Sequence, residues 1–182
     1  VLVGVLLFCT YVPAIPIFLV ELFYRYKEFD MTATDGELLV RIDDDIAHVT
    51  LNRPQARNAL TFGMYEELAK LCALAGTADD ADHIKAIVIA GAGDKAFAAG
   101  TDIGQFTAFG STEDGLRYEA KVEAVISQIE SCHVPVIAAL HGAVTGGGLV
   151  IAAAAHVRIA SAAAVAGMPI ARTSVSYTHL TL

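Results

Sequence analysis

Two glycine-containing loops have the composition of sites that hold a negatively charged oxygen through backbone amides. One covers residues 96–103 and follows a predicted strand and turn; the other covers residues 141–148 and joins a strand to a helix. Small residues let backbone N–H groups approach a ligand closely, and a helix start offers unpaired N–H groups with a partial positive charge. Two such loops facing each other would form an oxyanion hole. The same composition also suits tight packing of a strand on a helix, so both interpretations stay open. No Gly-Lys-Ser/Thr follows either loop, which excludes a nucleotide P-loop.

The elements that must position these loops alternate between strands and helices. Apolar alternation over residues 46–51, after residues 37–42 and a turn of three aspartates, predicts a β-hairpin. Thr61 and Ser111 each supply the hydroxyl of a helix N-cap before a stripe of apolar residues at helical spacing. Buried strands are predicted from the short apolar runs at residues 84–90, 135–140 and 157–160. This order predicts an α/β fold of layered strands and helices.

The charge and cysteine content exclude several classes of protein. Twelve basic and 20 acidic residues give a net charge of −8, and there is no basic stripe of the kind that nucleic acid requires. The three cysteines, Cys9, Cys72 and Cys132, show neither metal-ligand spacing nor a disulfide framework. We therefore expect three packing residues, no bound metal and a reducing, cytoplasmic compartment.

The two ends of the chain differ in composition from its centre. Residues 1–20 carry no charge and are long enough for a membrane-spanning helix. Residues 1–30 also fit the translation of an upstream reading frame, with the protein starting at Met31, and this second interpretation is favoured. Residues 174–182 have no regular apolar period and are interpreted as an artefactual tail. The predicted organisation is an apolar, helical segment at 1–30 and one domain at 31–173.

Three motifs occur in an order that resembles one enzyme family. They are Leu-Asn-Arg-Pro-Gln-Ala-Arg-Asn-Ala-Leu at residues 51–60, the small-residue loop at 96–103, and Pro-Val-Ile-Ala-Ala at 135–139 followed by Gly142 and the glycines at 146–148. Over about residues 37–173 the chain resembles the enoyl-CoA hydratase/isomerase (crotonase) family.

The resemblance implies a fold, a substrate class and a set of site residues. The fold would be a crotonase-like spiral of ββα units with its C-terminal part missing, and the substrate an acyl-CoA thioester. Its carbonyl would lie between the backbone N–H groups of Thr101 and Gly147, which would stabilise a negative oxygen. The other residues implied to bind substrate or CoA are Ala56, Arg57, Ala99, Asp102 and Gly146. Asp102 would fix the first loop.

The resemblance also implies what accompanies the site. No cofactor is implied besides the coenzyme A that forms part of the substrate. A full-length protein would assemble as a homotrimer or hexamer. Membrane attachment would require residues 1–30 to be genuine.

The two glutamates that hydratases of this family use are absent. Their positions are occupied by Val150 and Ile170, and neither apolar side chain can act as an acid or a base. Candidate substitutes are Tyr118, Glu119, His141 and His156, each of which fits a structural role better. We therefore expect the chain as it stands to be inactive.

Three functions stay open. The first is the lyase or isomerase chemistry of this family, as in fatty acid metabolism, with a non-standard base. The second is decarboxylation of a thioester, because loss of CO2 forms the enolate without a base. The third is CoA binding without catalysis. An assay distinguishes them by its outcome. Hydration of crotonyl-CoA would indicate the first function, turnover of malonyl-type thioesters only the second, and binding without turnover the third.

Overall fold

The computed structural model describes residues 36–168. Predictions made for residues 1–30, for Ile170 and for residues 174–182 lie outside the described part and stay predictions. The strands within it are β1 (Leu38–Asp43), β2 (Ile46–Leu51), β3 (Ala86–Gly91), β4 (Ala96–Ala98), β5 (Val136–Leu140), β6 (Ala143–Thr145), β7 (Val157–Ala160) and β8 (Val165–Gly167). The helices are α1 (Phe62–Leu74), α2 (Thr112–Glu130) and α3 (Gly147–Ala154), with 3-10 turns at Pro54–Ala56 and Ile103–Ala108.

A five-stranded sheet in the order β1-β2-β3-β5-β7 forms the centre of the fold. The β1–β2 hairpin is antiparallel, and its turn places Asp44 and Asp45 at positive φ, a conformation that aspartate tolerates. The remaining neighbours pair in parallel. Parallel strands are covered on both faces, which explains why β3 and β5 consist almost entirely of buried apolar residues. The predicted α/β layering is confirmed.

A second sheet of three short parallel strands, in the order β4-β6-β8, lies beside the candidate loops. The chain therefore runs through two strands and a helix three times, as β1-β2-α1, β3-β4-α2 and β5-β6-α3. This is the repeated ββα unit that the resemblance implies. The individual segments did not predict β4, β6 or β8, because three residues are too few to show a period of two.

The apolar core lies mainly between the large sheet and the helices. Alternate residues of a strand point to opposite faces. Ile87 and Ile89 of β3 accordingly belong to the main core cluster, while Val88 and Ala90 belong to a smaller cluster on the opposite face. The main core contains Leu68 and Cys72 of α1 and Val125 and Ile129 of α2.

Both predicted N-caps are present. The Thr61 hydroxyl accepts a hydrogen bond from the Met64 amide at 3.3 Å, which starts α1. Ser111 and Asp114 form a reciprocal capping box at the start of α2. Within residues 36–168, none of the helices combines the length and the apolar character needed to cross a bilayer.

Candidate functional site

The first loop is held against the segment that follows β2. The Leu60 amide donates to the Gly100 carbonyl at 2.8 Å, and the Asp102 amide donates to the Leu60 carbonyl at 2.9 Å. These two bonds make a parallel bridge between Leu60 and Thr101. In such a bridge the amide of Thr101 itself points away from Leu60.

The second loop brings another amide to the same place. Gly146 is the N-cap of α3 at φ 51°, a left-handed conformation that favours glycine. Gly147 is therefore the first helical residue, whose N–H has no partner within its own helix. A Cβ built on Gly147 would lie 3.4 Å from the Thr101 amide nitrogen.

That approach limits the distance between the two predicted donor amides. A Cβ lies about 2.5 Å from the nitrogen of its own residue, so the Thr101 and Gly147 nitrogens are at most roughly 6 Å apart. One oxygen that accepts from two amides at about 2.9 Å each fits between nitrogens at this separation. Among residues 36–168, neither amide donates to a main-chain carbonyl. The arrangement leaves both donors available to a carbonyl oxygen.

Glycine is required at the start of α3 by close packing. A Cβ on Gly147 would overlap the Tyr65 hydroxyl and lie 2.8 Å from the Thr101 hydroxyl oxygen. A Cβ on Gly148 would overlap the backbone and side chain of Ala98 in β4. Any side chain at either position would push α3 away from the first loop.

The predicted CoA-contacting residues lie beside this pair of amides. The Ala99 amide donates to the Arg57 carbonyl at 3.0 Å, so the two segments touch. Arg57 is exposed at φ 51°, whereas Ala56 is partly buried at the end of a 3-10 turn. The loop thus places one exposed cation, Arg57, at the edge of the site.

The carboxylate of Asp102 links the first loop to the segment after β2. One oxygen accepts from the Arg53 guanidinium at 2.7 Å, and the other accepts from the Gly104 amide at 2.9 Å. These contacts, the arginine first, hold the pKa of Asp102 below its usual range. Arg53 also pairs with Glu37 at 3.1 Å and donates to the Ala59 carbonyl at 2.7 Å. Because the carboxylate is engaged with a cation, Asp102 is a poor candidate for a catalytic base.

Asn58 is a positioning residue that the sequence alone did not identify. Its side chain is buried and donates to the carbonyls of Ala92 and Ala96 at 2.9 and 2.7 Å. Its side-chain oxygen accepts from the Arg53 amide at 3.0 Å. These bonds join the segment at residues 53–58 to the turn before β4. The motif at residues 51–60 contains this second asparagine, which was the available signal. Its role was not visible because the carbonyls that it binds are distant in sequence.

The candidate substitutes for the absent glutamates differ in position. Val150 lies in the first turn of α3 and is partly buried. His156 accepts from the Val136 amide through Nδ1 at 2.9 Å, and its Nε2 lies 3.2 Å from the Glu130 carbonyl, so it joins α2 to β5. His141 is partly buried, and its carbonyl accepts from the Phe97 amide. Each histidine lies at the end of a strand and makes hydrogen bonds that hold the fold together.

Tyr118 does reach the site, whereas its neighbour Glu119 is exposed on α2. The Tyr118 hydroxyl lies 3.0 Å from the Thr101 hydroxyl, which in turn lies 2.9 Å from the Tyr65 hydroxyl. The sequence did not identify Tyr65, because it lies outside the predicted apolar stripe of α1. In the described part of the chain, three hydroxyl groups gather beside the two amides.

The two cysteines in the described residues are free but in contact. The buried Cys72 thiol donates a hydrogen bond to Cys132, which lowers the pKa of Cys132 to about 6 and raises that of Cys72. Cys9 lies outside the described residues. Across residues 36–168, no three side chains of the His, Cys, Asp or Glu type form a group able to hold a metal ion.

Comparisons with known proteins identify the family to which the sequence is similar. The family described as "Enoyl-CoA hydratase/isomerase" matches residues 41–175. A probable enoyl-CoA hydratase of Bacillus subtilis is 39% identical over 128 residues, covering 70% of this chain and 48% of the relative. A short-chain-enoyl-CoA hydratase of Clostridium acetobutylicum is 33% identical, covering 74% of this chain and 50% of the relative. The chain thus spans about half the length of the curated relatives it matches.

A solved structure gives the same result for the fold. The crystal structure of an enoyl-CoA hydratase/carnithine racemase from Magnetospirillum magneticum superposes with a TM-score of 0.71 at 31% identity. The superposition covers 80% of this chain and 54% of that structure.

Proposed function

The chain belongs to the enoyl-CoA hydratase/isomerase family and has its crotonase fold, and on that premise we propose that it is the thioester-holding part of an acyl-CoA-processing enzyme. The thioester carbonyl binds between the backbone amides of Thr101 and Gly147. The charge that develops on its oxygen when an enolate forms is stabilised by these two donors. Removal of one such donor typically costs about 3 kcal/mol of transition-state stabilisation.

One observation carries this proposal: the close approach of Gly147 to the Thr101 amide, with neither amide paired to the main chain within the described residues. Both donors belong to segments fixed from outside the site, the first by Leu60 and the second by the helix it starts. Donors that are fixed before the substrate arrives do not have to reorganise during the reaction.

The CoA portion binds along the adjoining backbone in this proposal. Residues 56–57 and Ala99 lie next to the amide pair, and Gly146 shapes the turn at the start of α3. The exposed Arg57 can interact with a CoA phosphate as a cation. Coenzyme A as part of the substrate is the whole requirement, with no separate cofactor and no metal.

The reaction is the lyase or isomerase chemistry of the family carried out with a non-standard proton carrier. Hydration with two carboxylates is disfavoured, because Val150 occupies the first turn of α3 and Asp102 is paired with Arg53. The same two observations favour a second candidate, decarboxylation, in which loss of CO2 supplies the enolate electrons. Binding without catalysis is the remaining alternative.

The assembly and compartment are also proposals. A homotrimer or hexamer fits the implied full-length protein. The spacing of the three cysteines, which suits no disulfide framework, favours a reducing, cytoplasmic environment.

Titration calorimetry of the protein with butyryl-CoA and with free coenzyme A tests the binding step. Tighter binding of the thioester, lost in Gly147→Ala, is expected. Turnover is then followed with crotonyl-CoA and with malonyl-CoA. Rapid hydration of crotonyl-CoA would contradict the disfavoured carboxylate mechanism, and failure to bind any CoA thioester would overturn the proposal.

A further inference from the structure

Two thiols in the described part of the chain meet where the ends of α1 and α2 pack together. Cys72 lies in the last turn of α1 and belongs to the main core. Cys132 follows the end of α2 and packs against that core. The Cys72 thiol donates a hydrogen bond to the sulfur of Cys132. Because the two residues are distant in sequence, their contact is made by the packing of the helices.

A second set of contacts brings the same two segments together. Gly76 follows the end of α1 at φ 74°, and its amide donates to the Asp80 carboxylate at 2.8 Å. A Cβ built on Gly76 would lie 2.7 Å from a side-chain carbon of Val134 and 3.3 Å from the Cβ of His133. The segment that follows Cys132 therefore lies directly against the end of α1, so the thiol pair does not depend on one side-chain rotamer alone.

The two thiols differ in their access to solvent. Cys132 is partly exposed in the turn between α2 and β5, where a small oxidant reaches it. Cys72 is 1% exposed, so the same oxidant does not reach it directly. Packing, the role expected from the sequence, accounts for the burial of Cys72. It does not account for a partly exposed sulfur held in contact with the buried one.

The surroundings of Cys132 favour its ionised form. The hydrogen bond from Cys72 lowers the pKa of Cys132 to about 6. The Val134 amide and the nearby His156 and His133 act in the same direction, whereas partial burial opposes them. The thiolate, and not the thiol, is the nucleophile in reactions of cysteine. The more accessible sulfur of the pair is thus also the more reactive one at neutral pH.

We propose that Cys132 is a site of reversible oxidation by hydrogen peroxide and that Cys72 resolves the oxidised sulfur by closing a disulfide between α1 and the turn after α2. Disulfides of this kind in a reducing compartment are transient and redox-sensing, in contrast to the structural disulfides of secreted proteins. The pair therefore agrees with a sequence that shows no disulfide framework. This inference does not need a thioester in the amide pair.

The reaction balances in two steps. The Cys132 thiolate attacks one oxygen of hydrogen peroxide, the O–O bond breaks, and a sulfenic acid and hydroxide form; the sulfur loses the two electrons that the peroxide gains. The Cys72 sulfur then attacks the Cys132 sulfur, the S–O bond breaks, and the Cys72 proton leaves with the released hydroxide as water. The proton that Cys132 lost on ionisation neutralises the first hydroxide. Two thiols and one peroxide thus give one disulfide and two waters, and a dithiol reductant reverses the change by exchange.

The second step becomes easier once the first has occurred. The hydrogen bond to Cys132 is the largest cause of the raised pKa of the Cys72 thiol, and burial is the second. A sulfenic acid at Cys132 carries no charge, so the larger cause disappears and Cys72 ionises more readily. A disulfide bond is about 2 Å long, so the sulfurs must approach each other from hydrogen-bond contact. Cys132 lies outside α2, and this approach does not require either helix to unwind.

Peptide mapping of the full chain after treatment with one equivalent of hydrogen peroxide tests the proposal. Remaining thiols are blocked with iodoacetamide, and the protein is digested with trypsin without reductant. Cleavage after lysine and arginine places Cys72 in residues 71–85 and Cys132 in residues 122–158. Mass spectrometry should find these two peptides linked as the main oxidation product of the wild type, and dithiothreitol should release them.

Cys72→Ala separates the two steps. With dimedone present, which traps sulfenic acids, this variant should carry about tenfold or more label on Cys132 than the wild type, because the resolving thiol is absent. Cys132→Ala should leave Cys72 unoxidised over the same time, since a buried thiol has no direct access to peroxide. Label on Cys72 in the wild type would reverse the order of the steps and overturn the assignment of Cys132 as the oxidised site.

Cys9→Ala is the matched control, because it removes the third thiol of the chain and keeps the pair. The linked peptides should form in this variant as in the wild type, and a link that requires Cys9 would overturn the proposal. So would a wild-type chain in which Cys132 is oxidised without a link to Cys72, or is linked only to Cys132 of a second molecule. The decisive measurement is made on the wild type and does not depend on the folding of any variant. Failure to bind CoA thioesters would overturn the proposed function and leave this site in place.

Discussion

Replacing Asn58 tests how the site is anchored, independently of any assigned reaction. Its side chain donates to the Ala92 and Ala96 carbonyls at 2.9 and 2.7 Å and accepts from the Arg53 amide at 3.0 Å. The residue is 1% exposed, so water does not readily replace these bonds in the variant. Asn58→Ala should therefore destabilise the protein and separate the loop at residues 53–58 from the turn before β4.

The expected loss follows from the bonds and the backbone conformation. Each hydrogen bond contributes a net of about 1 kcal/mol, and leaving a buried partner unsatisfied costs about 1–3 kcal/mol. Asn58 also lies at φ 55°, where alanine costs about 1 kcal/mol more than asparagine or glycine. Asn58→Ala should lower the free energy of unfolding by roughly 4 kcal/mol, a large part of the stability of an ordinary domain. Asn58→Gly should lower the free energy of unfolding by roughly 1 kcal/mol less than Asn58→Ala does, because glycine adopts the positive φ without strain but also lacks the hydrogen bonds.

Urea denaturation followed by circular dichroism measures these differences. Asn52→Ala is the matched control: the Asn52 side chain donates one exposed hydrogen bond, to the Gly36 carbonyl at 2.9 Å. That variant should lose less than about 1 kcal/mol. If Asn58→Ala and Asn52→Ala were equally stable, the buried asparagine would not join the two loops, and the reasoning would be wrong.

Three further predictions concern the site and its surroundings. Gly147→Ala should weaken butyryl-CoA binding by about tenfold or more in calorimetry, because the added Cβ pushes α3 away from the first loop. Gly115→Ala, where a Cβ meets nothing within 4 Å, should leave affinity unchanged and add about 1 kcal/mol of helix stability. The arginine partner of Asp102 depresses the pKa of that carboxyl in the folded state. The ionised carboxylate therefore stabilises the fold above the ordinary pKa of 3.8, and this contribution is lost as the pH falls through the depressed value. In urea denaturation, the stability difference between wild type and Asp102→Asn should shrink below that pH; a larger difference would refute the pairing. The rate at which iodoacetamide alkylates Cys132 should rise with pH, with a midpoint near pH 6, because the pKa of this thiol is lowered to about 6. Cys72→Ala should move the midpoint to higher pH in a mass-spectrometric titration. An unchanged midpoint would show that the neighbouring thiol does not cause the shift.

The sequence predicted those parts of the fold whose causes are local. Thr61 and Ser111 mark their helix starts because a cap needs only a hydroxyl and the amide three residues on. The parallel strands are visible as apolar runs, since both faces are covered. The small sheet was not visible strand by strand, because its members are three residues long and are defined by partners elsewhere in the chain.

The same distinction applies to the site. The amide pair at Thr101 and Gly147 was named from the family resemblance and stays a prediction, because each glycine-containing loop by itself suits tight packing as well as an oxyanion site. The hydroxyl contacts at Thr101 could not be predicted, since Tyr65 and Thr101 are 36 residues apart and meet only after α1 has packed against the first loop. The anchoring role of Asn58 likewise depends on carbonyls 34 and 38 residues away.

These features assign different tasks to backbone and side chains. The proposed donors are main-chain groups whose direction depends on bridge and helix geometry, so Thr101 can replace a smaller residue without removing the amide. The side chains around them can therefore differ without loss of the donors. Here valine stands in the first turn of α3, and three hydroxyls lie in contact with one another at Thr101. A carboxylate can take up a proton near neutral pH, whereas a tyrosine hydroxyl, with a usual pKa near 10, mainly donates one. A site with this composition should therefore protonate an enolate formed by another bond cleavage more readily than it removes a proton from a saturated thioester.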